Sequence, residues 1–436
     1  MTNGQIDRLG QRISQSRNVS SEDLDMLQEF RKSYSDALSH MFEAIKEAAV
    51  KVDEKTIVTF RIKRIDTIIR KLQRFTDSEH GKVELSRMWD IAGCRCILFN
   101  LIEDKIYKLA DEISEIEGIT EKTDGNDYVY QAKPDGYRSY HMYVEHKDFR
   151  KPIEIQIRNK TMHTWATLVE IFDLLFGLGI KEGNKNNILQ EFLLLYSRKE
   201  ELTPLERERF IQIEQDKRIF KSICDAFAKN YAKVRQQWAS RSQGANYLVI
   251  EAGKNYSTTI DAFTSFAEAE EFYYTQYLQN RPNTNIVLVY SAKSDFNQIS
   301  FAYSNYILST HDFFYDYKKI LEQKIIDSVR ADNYKLTVKM CNVYRDIVLK
   351  YQECQTAELQ ELDSVVANHK LIKQRYIVEW KKDLRDELNA RIPQNTEFIK
   401  RLHGMTQRCS HKYKFNDFFA DYFMELNEGI KKIKNA

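Results

Sequence analysis

Residues 151–160 read KPIEIQIRNK, and their alternation decides the fold. On an extended chain successive side chains point to opposite faces, so Ile153, Ile155 and Ile157 line one face while Glu154, Gln156 and Arg158 share the other. Working outward, the runs CRCILF (94–99), DYVYQA (127–132) and YHMYVEH (140–146) are equally rich in Val, Ile, Tyr and Phe and are separated by turn-formers or helix-like stretches. They are predicted to be strands of the same sheet. Gly93, Gly118, Gly125 and Gly136 stand near their ends.

On either side the period changes. Leu24, Leu27, Phe30, Tyr34, Leu38, Phe42 and Ile45 recur at helical spacing, which predicts one amphipathic helix over 21–52 with Ser20 or Ser21 as its cap. Residues 57–60 are β-branched and apolar, and RIKRIDTIIRKLQRF (61–75) reads as a second helix. Lys63, Thr67, Arg70 and Arg74 would then share one face, with Arg64 and Lys71 flanking it. From Met162 to about Ser240 the pattern is helical again, with Pro204 suited to a first turn. SRSQGAN (240–246) is the linker candidate. NYLVIEA, FTSFAEAEEFYYTQYL and NIVLVYSA suggest a small strand–helix–strand module over 245–311, and 312–436 reads as helical with a break near Pro393. No Gly occurs from Lys254 to His403, in keeping with long helices. The expected fold class is thus α+β: a mixed sheet of about five strands flanked by helices over 1–240, then the small α/β module, then a mainly helical C-terminal region.

Composition bounds the function. The 436 residues carry 66 Lys+Arg against 64 Asp+Glu, a net charge of +2, which excludes a broadly basic nucleic-acid coat. Hydrophobic residues at 42% suffice for a core. No run approaches the roughly 18 apolar residues of a membrane span, and MTNGQIDRLGQR has no signal-peptide stretch, so a cytoplasmic protein is expected. The six Cys are scattered, fitting reduced thiols better than a disulfide framework or a zinc ribbon. His403, Cys409 and His411 lack a recognised ligand spacing.

Nucleotide chemistry through a P-loop is excluded, because neither Gly81-Lys82 nor Gly253-Lys254 has the Walker spacing. Phosphates would have to be met by side-chain cations and carboxylate-held metal. Four elements offer these. Glu154, Gln156 and Arg158 form a polar row, or an ordinary half-exposed strand face. Asp90, in SRMWDIAGCRC (86–96), is an acid leading into a buried strand, where it either binds metal with Glu154 or pairs with Arg87 or Arg95. YQAKPDGYRSYH (130–141) presents Lys133, Tyr137, Arg138 and His141 around a Pro-Asp-Gly turn. That loop is a stacking platform beside cations, or a decorated hairpin. The basic helix is the fourth, and by itself reads equally as a solvated face.

Taken in order, RIKRIDTIIRKL, DIAGCR, KPDGYRSYH and EIQIR resemble the motifs of the synthetase domain of the RelA/SpoT family. Those alarmone synthetases move a pyrophosphoryl group from ATP to a nucleotide 3′-hydroxyl. The resemblance spans about Ser21 to Ser240. It implies a nucleotidyltransferase-like domain in which Asp90 and Glu154 hold Mg²⁺ and Glu154 also deprotonates the attacking hydroxyl. Arg61, Lys63, Arg64, Lys71 and Arg95 would contact ATP. Lys133, Tyr137, Arg138, His141, Gln156 and Arg158 would contact the acceptor, Tyr137 by stacking on its base. GDP or GTP is the implied acceptor, with the 3′-CCA end of tRNA or an adenine nucleotide as alternatives within the fold, and a non-catalytic nucleotide sensor as an alternative of another class. Thr67 stands where the family usually has Ser, and Asp135 where Asn is common. Too few residues precede Phe60 for the family's hydrolase domain, so product degradation is not expected. The C-terminal half is a candidate for oligomerisation or for docking a regulatory protein.

Overall fold

The computed structural model describes residues 1–74, 84–177, 188–241, 244–253, 257–279, 285–290, 296–307, 311–368 and 374–435. Gly81, Lys82, Phe75, Lys254 and part of the linker candidate lie outside them. The chain divides into two compact units, one of 1–167 with 241–306 and one of 168–240 with 307–436.

The first unit is built on one mixed sheet of nine strands: β1 Ile57–Ile62, β2 Ala92–Leu98, β3 Ile119–Glu121, β4 Asn126–Asp127, β5 Tyr140–His146, β6 Pro152–Asn159, β7 Tyr247–Ala252, β8 Thr258–Phe263 and β9 Asn285–Tyr290. Their order is β3-β5-β6-β2-β1-β9-β7-β8, with β4 beside β5. β2 and β6 are parallel, and every other pair is antiparallel. The isoleucine face predicted for β6 is the core face: Ile153, Ile155 and Ile157 are fully buried there with Cys94, Cys96 and Phe60. Helices covering this face include Asn3–Gln15, Ser21–Lys32, Ser35–Val52, Ile65–Arg74, Asp104–Ser114 and Phe266–Gln279.

Several expectations change. The strand–helix–strand module is continuous with the main sheet, because β9 pairs with β1, placing Phe60 opposite Tyr290 with their rings stacked 4.6 Å apart. The helix expected over 21–52 is two helices, and the Ser33 hydroxyl at the break bonds the Phe30 carbonyl at 2.7 Å, which competes with the helical ladder. Ser20 caps the first of them. DYVYQA is not a strand beyond β4, because the Asp127 carboxylate accepts the N–H groups of Val129 and Tyr130, each at 2.9 Å, and bends the chain. The basic helix begins at Ile65. Arg61 therefore lies in β1 and Lys63 in the turn after it, so Lys63 is not on the helical face proposed for it with Thr67, Arg70 and Arg74.

The second unit is helical, with helices including Ile188–Ser197, Pro204–Lys217, His311–Arg330, Tyr334–Asn368, Gln374–Thr406 and Lys412–Asn435. Pro204 opens its helix behind a Thr203–Glu206 capping box. Pro393 does not break its helix. Two residues earlier, buried Arg391 bonds Glu387 at 2.8 Å and lies over the rings of Tyr351 and Phe314, so tertiary packing outweighs the lost backbone bond. All six cysteines are free thiols. No three His, Cys, Asp or Glu among the described residues are grouped to hold a metal; His411 instead faces Asp332. No helix among the described residues is long and apolar enough to cross a membrane.

Candidate active site

The register across β1, β2, β6 and β5 aligns Arg61, Gly93, Glu154 and Tyr143 in one row and Thr59, Arg95, Gln156 and His141 in the next. Alternation puts both rows on the face away from the isoleucines. At the centre, a Cβ on Gly93 would lie 2.7 Å from the carbonyl oxygen of Glu154. Only glycine lets the two strands approach so closely there.

Asp90 sits in the turn that feeds β2, beside the end of β1, where the Lys63 N–H bonds the Ile91 carbonyl at 2.7 Å. Its partners are neither Arg87, which pairs with Glu84, nor Arg95. The Lys63 ammonium bonds Oδ2, and the Lys71 ammonium reaches both carboxylate oxygens at 2.9 and 3.0 Å. Burial works to raise the Asp90 carboxyl, but the two ammonium groups together outweigh it and hold it at about 2. Burial likewise lowers Lys63, against the pull of Asp90. Adjacent cations of the helix sort to different faces: Lys71 turns to Asp90, while Arg70 is exposed and pairs with Asp66 at 2.8 Å.

Glu154 is held by its neighbours on the same face. His141 Nδ1 lies 3.1 Å from Oε1, the Tyr143 hydroxyl donates to the same oxygen at 3.4 Å, and the Gln156 amide donates to Oε2 at 2.9 Å. Arg158 in turn donates to Gln156 at 3.0 Å. Burial pushes the Glu154 carboxyl up, but the hydrogen bond and charge of His141, assisted by Lys63, leave it below the usual range. The Asp90 charge acts in the opposite sense on it, so the two carboxylates feel one another.

The other nitrogen of His141 is 2.8 Å from the Tyr137 hydroxyl. Tyr137 follows a turn in which Gly136 has φ +94°, its N–H bonds the Lys133 carbonyl at 2.8 Å, and Asp135 accepts the Tyr137 N–H at 3.0 Å. Trp165 and Tyr128 lie edge-on to the Tyr137 ring at 6.2 and 6.0 Å. The Lys133 ammonium stands 4.3 Å from the Tyr128 ring centroid and 5.1 Å from that of Tyr137. These residues make an aromatic and cationic wall leading to Glu154.

Three residues of the predicted set have partners within the protein. Arg138 donates to the Val129 carbonyl at 2.7 Å and pairs with Glu103 at 2.8 Å. Arg64 bonds Asn285 and approaches Asp66 at 3.8 Å, and Arg95 donates to the Ala302 carbonyl at 3.3 Å. Tyr143 and Tyr128 are additions to the predicted set. Tyr143 was readable, two residues from His141 on a strand, whereas Tyr128 depends on the Asp127 bend, which alternation does not reveal.

A polar sheet face with two ionised carboxylates, lysines against one of them and an aromatic wall beside the other suits an anionic ligand carrying a base. Residues 60–171 match the family model described as the region found in RelA / SpoT proteins, so this stretch is a RelA/SpoT region, as the four motifs implied. The chain is 31% identical over 134 residues to the GTP pyrophosphokinase YjbM of Bacillus subtilis (strain 168), covering 29% of this chain and 61% of that protein. It is 33% identical over 115 residues to the GTP pyrophosphokinase YwaC of the same organism, covering 25% and 53%. The chain therefore spans less than two thirds of the length of each. Among solved structures it is similar to the small alarmone synthetase 1 from Bacillus subtilis bound to its product pppGpp, with a TM-score of 0.33 and 26% identity over 40% of this chain and 90% of that one.

Proposed function

We propose that this protein transfers the pyrophosphoryl group of ATP to the 3′-hydroxyl of GDP or GTP, making guanosine tetra- or pentaphosphate. The observation that carries the reading is the convergence of Asp90, in the turn that feeds β2, with Glu154 on the polar sheet face, each feeling the other's charge and both held ionised, with lysine ammonium groups on the first and the Tyr137–His141 pair on the second. The similarity to two GTP pyrophosphokinases supports it. In this reaction the acceptor 3′-oxygen forms a bond to the β-phosphorus of ATP, the bond from that phosphorus to the bridging oxygen of the α-phosphate breaks, and AMP leaves.

Glu154 takes the proton of the 3′-hydroxyl, a role that needs a carboxylate ionised at neutral pH. Lys63 and Lys71 neutralise the triphosphate, with Arg61 on the same face, and Tyr137 stacks on the acceptor base with Lys133 beside it. The donor set fits Mg²⁺, a hard cation that takes one or two protein carboxylates and completes its shell with phosphate oxygens and water. Asp90 and Glu154 would hold it, and the ammonium groups on Asp90 mark where positive charge is already favoured. When bound, the ion neutralises phosphate charge.

The test is incubation of the purified protein with Mg²⁺ and ATP labelled at the γ-phosphate, offering GDP, GTP, AMP, ADP or deacylated tRNA separately. Label on GDP or GTP is the expected result. Label on tRNA or adenine nucleotides alone would replace the acceptor, and no transfer to any of them would leave a nucleotide-sensing module.

A further inference from the structure

Helix Phe266–Gln279 lies outside the RelA/SpoT region, yet it reaches the turn that carries Lys63. Tyr273 on this helix is fully buried, and its hydroxyl accepts the N–H of Ile65 at 3.2 Å. Ile65 opens helix Ile65–Arg74, and a first-turn N–H has no partner within its own helix. Tyr273 is thus a cap supplied from another element. Two residues upstream, the Lys63 carbonyl accepts Nε of Arg31 at 2.8 Å. Arg31 lies 4.6 Å from the Tyr273 ring centroid.

Arg31 is itself anchored. Its Nη1 bonds Gln28 and approaches Glu270 at 3.3 Å, and Gln28 donates to the same Glu270 oxygen. Both side chains of the Arg31–Glu270 pair are 0% exposed. Replacing a buried ion pair by apolar residues is often neutral or stabilising, so stability alone explains it poorly. What the pair and Tyr273 hold is specific: the backbone atoms on either side of Arg64, the Lys63 carbonyl and the Ile65 N–H. From this turn Lys63 reaches Asp90, and from the helix it opens Lys71 does the same.

We infer that Arg31 and Tyr273 are positioning residues that fix the Lys63–Ile65 turn and so set the two ammonium groups beside Asp90 for the triphosphate of ATP. The inference rests on the proposed pyrophosphoryl transfer for its kinetic consequence, but not for the clamp itself. Helix Phe266–Gln279 is then part of the ATP side of the site, and truncation near Gly244 would damage it.

The experiment uses the full chain with Tyr273→Phe, which removes the acceptor and keeps the ring, and Arg31→Lys as the second variant should the first fail to fold. Tyr274→Phe, whose hydroxyl faces Asp25, is the control. Without nucleotide, hydrogen–deuterium exchange over residues 62–70 should accelerate about fivefold or more on loss of the cap, and unchanged exchange overturns the inference. In the transfer assay the KM for ATP should rise three- to tenfold, with kcat and the acceptor KM within twofold. Equal rises in both KM values, or a fall in kcat with a lowered Tm and no selective ATP effect, would mean a merely structural role. If the parent protein transfers nothing, the functional reading fails while exchange still decides the clamp.

Discussion

Asp90 and Glu154 in the sheet unit and Glu214 and Asp316 in the helical unit are all carboxylates withdrawn from water, yet they are driven in opposite directions. Burial acts to raise all four. In the sheet unit Lys63, Lys71 and His141 outweigh it, and both acids end below the usual range. In the helical unit Glu214 accepts the Tyr317 hydroxyl at 2.5 Å and the Phe220 N–H at 3.0 Å, Asp316 accepts the Tyr196 hydroxyl and approaches Lys199 at 3.4 Å, and burial prevails. Depth of burial therefore does not decide which way a carboxyl is driven. The balance of charge does: Asp90 faces two ammonium groups and Glu154 has His141 and Lys63, whereas Glu214 has neutral donors and Asp316 has Lys199 against the charge of Asp312, too little to offset desolvation.

The largest expected effect breaks the comparison on the reactive side. Glu154→Gln removes the proton acceptor and should lower kcat by about 10²–10⁴-fold, while Tm moves by only a few degrees, since the residue faces away from the core. Transfer rates near those of the parent would refute the assignment. Gly93→Ala tests the same acid through the backbone: its Cβ would meet the Glu154 carbonyl oxygen at 2.7 Å, so β2 and β6 must separate. Activity should fall at least tenfold, with about 1–3 kcal/mol of stability lost, read from urea unfolding and initial rates.

Asp90→Asn and Glu214→Gln sharpen the contrast by their opposite pH dependence. An acid with a lowered folded pKa contributes stability above its unfolded pKa and loses it as pH falls through the folded value. In metal-free protein the parent should therefore be more stable than Asp90→Asn by about 2 kcal/mol at neutral pH, and the gap should close between pH about 4 and about 2. Glu214 has a raised pKa, so its contribution is fully present below the unfolded value and is lost as pH rises through the folded one. Glu214→Gln should gain on the parent as pH rises through the folded value. Equal pH profiles for the two variants in thermal melts would abolish the distinction.

Much of the site was legible because it lies on short alternating strands. EIQIR gave the polar row, DIAG the acid and the close-approach glycine, and KPDGY the turn below Tyr137. The remainder was not legible for identifiable reasons. Reading the basic helix from Arg61, four residues before its true start, placed Lys63 on a helical face, although it stands in the turn before the helix. Arg64, Arg95 and Arg138 share their residue type with phosphate ligands, and the carbonyl and carboxylate partners they have in this structure rest on tertiary contacts that no local pattern shows. The membership of β7–β9 in the sheet left no local signal, because strand pairing across such separations depends on tertiary register alone.

That sheet order also constrains how the protein is made. β1 sits in the middle of the sheet, but its partner on one side, β9, leaves the ribosome roughly 220 residues later, on the order of 10–40 s at about 5–20 residues per second. Throughout that interval the strand bearing Arg61 presents an open edge to the nascent chain and its neighbours, a template for misassembly. Completion of the sheet that bears the candidate site thus becomes a late event in biosynthesis, and a chain stalled before Asn285 would carry all four sequence motifs without the strand that pairs with β1 there.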